Sequence, residues 1–214
     1  VLTSGRAERV VARVPVADRR GVSISGRAGL RKEGVERGVP GLGDVVRLAR
    51  LAADPEPTTA EGFRGVLNAG LNRTRVIAQV LVTDEVGRVL LCELTYKTYW
   101  DLPGGVVDPH ESPAAGAARE VLEELGVEIT VEDLLVVSWL PPWQGWDDAC
   151  LFLFRAAAPS DVVEAAMLEH REIAALHWCA PESLDEHVAD YTARLVRAAL
   201  GATEPLYLED ARPR

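Results

Sequence analysis

Glu120, Glu123 and Glu124 sit at positions i, i+3 and i+4 of the stretch SPAAGAAREVLEELG. On a helix these three carboxylates are neighbours, and like charges at that spacing repel by about a few tenths of a kcal/mol each. A cation would relieve that repulsion. Hard divalent ions such as Mg²⁺ take oxygen ligands and bind a few carboxylates together with substrate phosphates. A pair of glutamates alone is also the ordinary face a helix shows to water, and Arg119, four residues before Glu123, suits that plainer reading. The flanking residues carry the question further. Gly104 and Gly105 precede the stretch, and a glycine turn lets backbone approach a bound ion closely. Ser112 fits an N-cap, Pro113 the first helical position and Gly126 the residue just past the end. The spacing predicts a helix over 113–125. Its apolar stripe is Ala114, Ala118, Val121 and Leu125, with the three glutamates on roughly the opposite side.

The offsets are what separate a site from a solvated face. Gly105 is followed after five residues by Glu111, and after seven more by Arg119, Glu120 and Val121. Glu123 and Glu124 follow one residue later, then Gly126 and Val127 after one more. Seven specified residues and two aliphatic ones would meet at a given start on the order of once in 10⁸ by chance. Every one of these positions matches the signature of the Nudix hydrolases. Residues 73–205 resemble a MutT-like Nudix domain of the short bacterial type. WDLPGG at 100–105 resembles the family's W-E-L-P-G-G, with Asp101 in place of Glu. The TYK before it and LYLED at 206–210 resemble the family more loosely, and residues 1–70 are not covered.

The resemblance implies an α/β fold, an α/β/α sandwich with a mixed β-sheet flanked by helices. It implies divalent-metal-dependent hydrolysis of the pyrophosphate bond in a nucleoside diphosphate linked to another group. Glu120, Glu123 and Glu124 would then bind Mg²⁺ or Mn²⁺, with a backbone carbonyl of Gly104 or Gly105 completing the site. Glu111 and Arg119 would orient the carboxylates. The physical chemistry agrees. A pyrophosphate is polyanionic and an acidic protein repels it, whereas a bound divalent ion offsets that charge and lowers the pKa of a bound water. A general base is still needed for the water. It is either a glutamate of the helix or an outside one, for which Glu169 and Glu172, just before IAALHWC, are the candidates. His170 reads as solvent-facing. Two rivals stand beside this reading. One is a non-catalytic Nudix-fold sensor of nucleotides, which an intact signature disfavours. The other is isopentenyl-diphosphate isomerisation, which would want a catalytic Cys, whereas Cys92 lies in a core-like run.

Substrate contacts should come from the loops at 96–100 and 141–148. Tyr96, Tyr99, Trp100, Trp143 and Trp146 offer flat faces for a base, and Lys97 suits a phosphate. Trp100 also reads as packing. An oxidised nucleoside triphosphate, a nucleotide sugar, ADP-ribose or a capped nucleotide would each use such groups.

These side chains need a frame. VIAQVLVT (76–83) and RVLLCELT (88–95) read as strands joined by a DEVG turn. VEITV (127–131), LLVVSWL (134–140), CLFLFRA (150–156) and IAALHWC (173–179) follow as strands, and 181–200 as a helix ending at Gly201. GDVVRLARLAA (43–53) has helical spacing with Asp44 as its cap, and 60–71 is a second short helix. Residues 1–41 show no sustained period, are broken by glycines, and are expected to be a disordered basic extension. Residues 42–72 form a loosely helical linker, 73–205 the Nudix domain and 206–214 a C-terminal tail.

Composition sets the outer limits. The 214-residue chain carries a formal charge of −10, which argues against a general nucleic-acid binder. The basic residues gather early: 1–41 hold nine Lys/Arg against four Asp/Glu, a balance of +5, leaving −15 for the rest. No apolar run is long enough to span a bilayer, so the expected location is cytoplasmic, with a nucleotide-type small molecule as partner and no membrane. A homodimer is compatible with the sequence. The three cysteines, Cys92, Cys150 and Cys179, form no CxxC pair and suit neither a zinc site nor a disulfide framework. The chain begins at Val1 and its single methionine is Met167, so an alternative start codon and a start set too far upstream both fit.

Overall fold

A computed structural model describes residues 7–143 and 145–213. The chain divides into two compact units, Val1–Arg73 and Thr74–Arg214.

The first unit corrects the expectation of disorder. It contains β1 (Arg9–Pro15), α1 (Arg19–Arg27), β2 (Arg31–Val39), β3 (Gly43–Leu51) and α2 (Ala60–Gly70), and residues 1–6 of the expected extension lie outside the described residues. The strands form an antiparallel sheet in the order β1-β3-β2. Some of the glycines that break the sequence period serve the turns between these short elements, while Gly21 and Gly26 lie within α1 and Gly34 at a bulge of β2. Gly38 and Gly43 carry left-handed φ of 66° and 71° at the β2–β3 connection, a conformation glycine adopts without steric cost. GDVVRLARL is a strand, not a helix. Val45, Val46, Leu48 and Ala49 are all buried, and a central strand covered on both faces reads as an apolar run that a helical stripe imitates. Pairing on both sides decided between them, with Arg47 opposite Arg13 and Val46 opposite Val35. Asp44 accepts from the Gly38 N–H at 2.9 Å and so caps the turn. The short helix expected at 60–71 does form, capped by Thr59.

The second unit runs β4 (Arg75–Leu81), β5 (Val89–Leu94), β6 (Gly104–Val106), α3 (Pro113–Leu125), β7 (Thr130–Leu140), β8 (Ala149–Ala157), α4 (Val162–Ala165), β9 (Ile173–Cys179), α5 (Leu184–His187), α6 (Asp190–Leu200), β10 (Leu206–Glu209) and β11 (Arg212–Pro213). Six strands form a mixed sheet in the order β11-β10-β7-β8-β4-β6, with β10·β7 and β8·β4 parallel and the other pairs antiparallel. β5 and β9 pair as a second, two-stranded sheet. Two apolar cores lie on the two faces. One gathers Leu135, Leu151 and Leu153 with Leu195, Val196 and Ala199 of α6. The other gathers Ala78, Val80 and Phe154 with Ala117, Val121 and Leu125 of α3. The result is the expected α/β sandwich with helices on both faces of a mixed sheet.

Several boundaries differ from the sequence reading. The DEVG turn forms, with Gly87 donating to the Asp84 carbonyl at 3.0 Å. β4 and β5 then part into different sheets. The runs at 127–131 and 134–140 are one strand from Thr130, interrupted by bulges around Leu134, where two charged residues, Glu132 and Asp133, break the apolar alternation. The helix expected over 181–200 is a 3₁₀ turn at Pro181–Ser183, then α5, then α6. Its break at Val188 is where the chain pairs with Trp100, whose N–H donates to the His187 carbonyl at 2.9 Å. The tail at 206–214 supplies β10, parallel to β7 through Leu206–Glu209, and β11. Among the described residues no helix is long and apolar enough to cross a membrane.

Candidate active site

α3 starts where the sequence places it. Ser112 Oγ accepts from the Ala115 N–H at 3.3 Å, and Gly126 ends the helix at φ 67°. Its buried stripe is Gly116, Ala117, Val121, Glu124 and Leu125. This corrects the expectation that all three glutamates oppose the apolar face. Glu124 lies one turn from Val121 on the margin of the stripe, so packing of α3 on the sheet carries its carboxylate inside, where it is 8% exposed. Glu120 is partly covered and Glu123 is largely in solvent.

Arg119 ties the network together. Its Nε donates to Glu111 Oε1 and its Nη2 to Glu111 Oε2, both at 3.1 Å. Its Nη1 donates to Glu120 at 3.0 Å and to Glu123 at 3.1 Å, and its Nη2 also reaches the Val106 carbonyl at 3.1 Å. One guanidinium thereby links β6, the loop after it and α3. The Glu111 carboxyl is held below its usual range by Arg119 and by the Asp108 N–H.

β6 brings the glycines to α3. Gly104 donates its N–H to a Glu124 carboxylate oxygen at 3.1 Å. A Cβ at Gly104 would meet the Ala78 carbonyl oxygen at 2.3 Å, and its φ of 124° is one that residues with side chains rarely adopt. A Cβ at Gly105 would lie 2.6 Å from Glu120 Oε2, so the backbone and the carboxylate are in close approach there too.

The electrostatics are those of a site short of positive charge. Burial pushes the Glu124 carboxyl up to about 7, and the fields of Glu120, Glu172 and Asp101 add to this against the Gly104 N–H. Burial also raises Glu120, opposed by Arg119 and reinforced by Glu123 and Glu172. Among the described residues no three His, Cys, Asp or Glu side chains are already gathered as a metal cage. Arg119 holds one oxygen each of Glu120 and Glu123. The donor set nevertheless fits a hard divalent ion. It offers a buried carboxylate that resists ionisation, two more carboxylates within a turn, and glycine backbone pressed against one of them.

A cavity of about 610 Å³ opens beside this cluster, a size suited to a nucleotide-sized ligand. Gly104, Gly105 and Glu124 line one part of it, as do Tyr96, Lys97, Tyr99, Trp143 and Trp146. The two tryptophans are held by reciprocal backbone hydrogen bonds at 3.0 and 2.9 Å across a turn whose Gln144 lies outside the described residues. Lys97 pairs with Asp101 at 3.1 Å. Trp100 is the correction here. It is sandwiched between the His177 and His187 rings, each centroid 4.0 Å away and nearly parallel, so its faces are already covered.

The two outside glutamates separate. Glu172 acts on both Glu120 and Glu124, and its carbonyl accepts from the Thr95 N–H at 2.8 Å, which anchors it beside β5. The Glu169 carboxylate turns back to the Arg171 N–H at 3.2 Å. Cys92 is 1% exposed in the core, with a thiol pushed up by burial, as a small apolar residue would be. Sequence reasoning missed Gln79, which lines the cavity from β4 and donates to Asp101 Oδ1 at 3.1 Å. It also missed Tyr191 and three arginines at 75, 194 and 212, which line the cavity from β4, α6 and β11 and meet only in the folded chain. Only Asp101, standing where the resemblance expects Glu, was a visible signal.

The NUDIX domain family matches residues 73–199. A MutT-like protein of Streptomyces ambofaciens is 33% identical over 70% of this chain and 86% of its own length. A putative 8-oxo-dGTP diphosphatase of Bacillus subtilis is 36% identical over 50% of this chain and 67% of its own. The fold is shared with a UDP-X diphosphatase, at TM-score 0.54, 20% identity, and 72% and 76% coverage of the two chains. It is shared as well with a NUDIX hydrolase from Nitrosomonas europaea, at TM-score 0.51, 18% identity, and 82% and 93% coverage. The intact signature, the carboxylate helix docked on a glycine strand and this family match lead to one conclusion: the chain belongs to the Nudix hydrolase family and is MutT-like.

Proposed function

We propose that this Nudix pyrophosphohydrolase cleaves the pyrophosphate bond of a nucleoside diphosphate linked to a further group, with Mg²⁺ or Mn²⁺ held by Glu120, Glu123 and Glu124 and the Gly104–Gly105 backbone. The observation that carries this reading is the Glu124 carboxylate, buried at the wall of a nucleotide-sized cavity and backed by the Gly104 N–H. Burial of a carboxylate with a single N–H donor and no cation partner is costly and marks functional sites. The ion, when bound, would neutralise phosphate charge and acidify a water.

The chain's own residues do the rest. Arg119 and Glu111 fix the orientation of Glu120 and Glu123 relative to β6. Tyr99, Trp143 and Trp146 offer stacking surfaces to a base. Glu172 is the general base, taking the proton of the water that attacks phosphorus while the leaving phosphate oxygen departs. Its position, acting on both Glu120 and Glu124, favours it over Glu169. The Bacillus relative's name favours an oxidised nucleoside triphosphate as the first substrate to try.

The test is a panel of normal and oxidised nucleoside triphosphates, nucleotide sugars and ADP-ribose, assayed for phosphate, pyrophosphate and nucleoside monophosphate with each ion. Turnover of at least one member with Mg²⁺ or Mn²⁺ is expected, and failure of every member with both ions overturns the reading.

A further inference from the structure

The cavity lined by Glu124 is lined by three arginines as well. Arg75 comes from β4, Arg194 from α6 and Arg212 from β11, and all three line the cavity. Their carboxylate supply is thin. Arg194 donates to Asp210 Oδ2 at 3.3 Å and to its carbonyl at 3.0 Å, and Arg212 donates to the same Oδ2 at 2.7 Å. Arg75 has no carboxylate partner among the described residues. It donates to the Asp147 carbonyl at 3.2 Å, and its guanidinium lies 4.8 Å from the Trp146 ring centroid. The Nε atoms of Arg75 and Arg194 are buried and make no hydrogen bond. A guanidinium has five N–H donors, and buried donors left unpaired are costly. One carboxylate, Asp210, is shared by two arginines, and among the described residues the other carboxylates of the lining, Asp101, Glu124 and Asp190, form no ion pair with any of the three, so guanidinium donors are left unmatched.

We infer that Arg75, Arg194 and Arg212 form an anion subsite that takes a second phosphate group of the substrate, apart from the pyrophosphate cleaved at Glu124. This deepens the proposed function and rests on its placement of the cleavage site. The planar fork of arginine matches phosphate oxygens two at a time. Asp210 fixes two of the forks, and Trp146 backs the third while offering its ring to the nearby base. The chain therefore favours nucleotides that carry a phosphate ester on the ribose or on the distal group over those with a single phosphate chain.

Binding reads this independently of turnover. A nucleoside 3′,5′-bisphosphate and the matching 5′-monophosphate are titrated by tryptophan fluorescence and by calorimetry, without added metal. The bisphosphate is expected to bind at least tenfold more tightly. Arg212→Met and Arg75→Met should each remove most of that preference, and Arg212→Lys should restore part of it. Circular dichroism confirms that the variants fold, and exposed Arg212 is the safer of the two sites. Equal affinity of the two nucleotides, or a preference that survives both Met variants, overturns the subsite. A preference seen in a protein that turns over no pyrophosphate substrate would keep the subsite and sink the hydrolase reading.

Discussion

Arg119 grips both oxygens of Glu111 at 3.1 Å, and the same guanidinium reaches Glu120 and Glu123. On the proposed function, Arg119 acts as a positioning residue. Lysine keeps the charge but not the fork. Arg119→Lys should lower kcat roughly 10- to 100-fold, the usual loss when an outer partner of a metal ligand is removed. It should also raise the Mn²⁺ concentration needed for half-activation. An unchanged metal-activation curve would show that the fork positions nothing.

Glu124 predicts how the metal-free protein responds to pH. Its carboxyl is pushed from the ordinary 4.5 up to about 7 in the folded state. The folded state therefore keeps a proton that the unfolded chain releases. Below pH 4.5 the site costs nothing; between there and about 7 stability falls, and above that it is flat. The fall should be roughly 3–4 kcal/mol at most, from 1.36 kcal/mol per pKa unit. Urea unfolding in EDTA at pH 5 and pH 8 checks it, with Glu124→Gln as the control that flattens the profile. A wild-type protein more stable at pH 8 than at pH 5 contradicts the burial argument.

Glu124→Gln also separates activity from folding. It should abolish nearly all metal-dependent turnover while leaving the metal-free protein as stable as wild type or more so at pH 8, since a charge short of partners is removed. Mg²⁺ should raise the Tm of wild type but not of this variant. Near-wild-type turnover by purified Glu124→Gln would remove this carboxylate from the ligand set.

How much of this could be read in the sequence follows from what each feature depends on. The helix at 113–125 carries its own cap, proline and terminal glycine, so local chemistry fixes it. The offsets from Gly105 to Gly126 fall within one strand, loop and helix, and the site they describe is local in the same sense. GDVVRLARL was misread because its fate as a strand rests on partners at 9–15 and 31–39, which no window around it contains. Glu124 looked solvated because the helix period alone cannot say how wide the buried face is. The arginines at 75, 194 and 212 come from β4, α6 and β11, which meet only through the packing of the sheet and α6.

The two glycines should fail in different ways. At Gly104 an alanine would need a φ of 124° and would collide with the Ala78 backbone, so Gly104→Ala should destabilise the fold by about 2 kcal/mol or more. At Gly105 the added Cβ would meet the Glu120 carboxylate, a side chain that can shift. Gly105→Ala should therefore lower kcat about tenfold with a Tm change of only a few degrees. Thermal melts and kinetics on both variants decide it, and equal loss of Tm would show that the Gly105 contact is structural.

Glu172 and Glu169 give the sharpest kinetic contrast. Glu172 shares the field of Glu120 and Glu124, whereas Glu169 is turned back to the Arg171 N–H. If Glu172 takes the proton of the attacking water, Glu172→Gln should lower kcat on the order of 10²–10⁴-fold. The acidic limb of the pH–rate profile should be lost with it. Glu169→Gln should stay within about threefold of wild type, because its carboxylate serves a local turn whose loss costs little. The opposite order would move the base to Glu169. Small effects from both would place the base on the helix, where Glu123 is the most exposed carboxylate of the three.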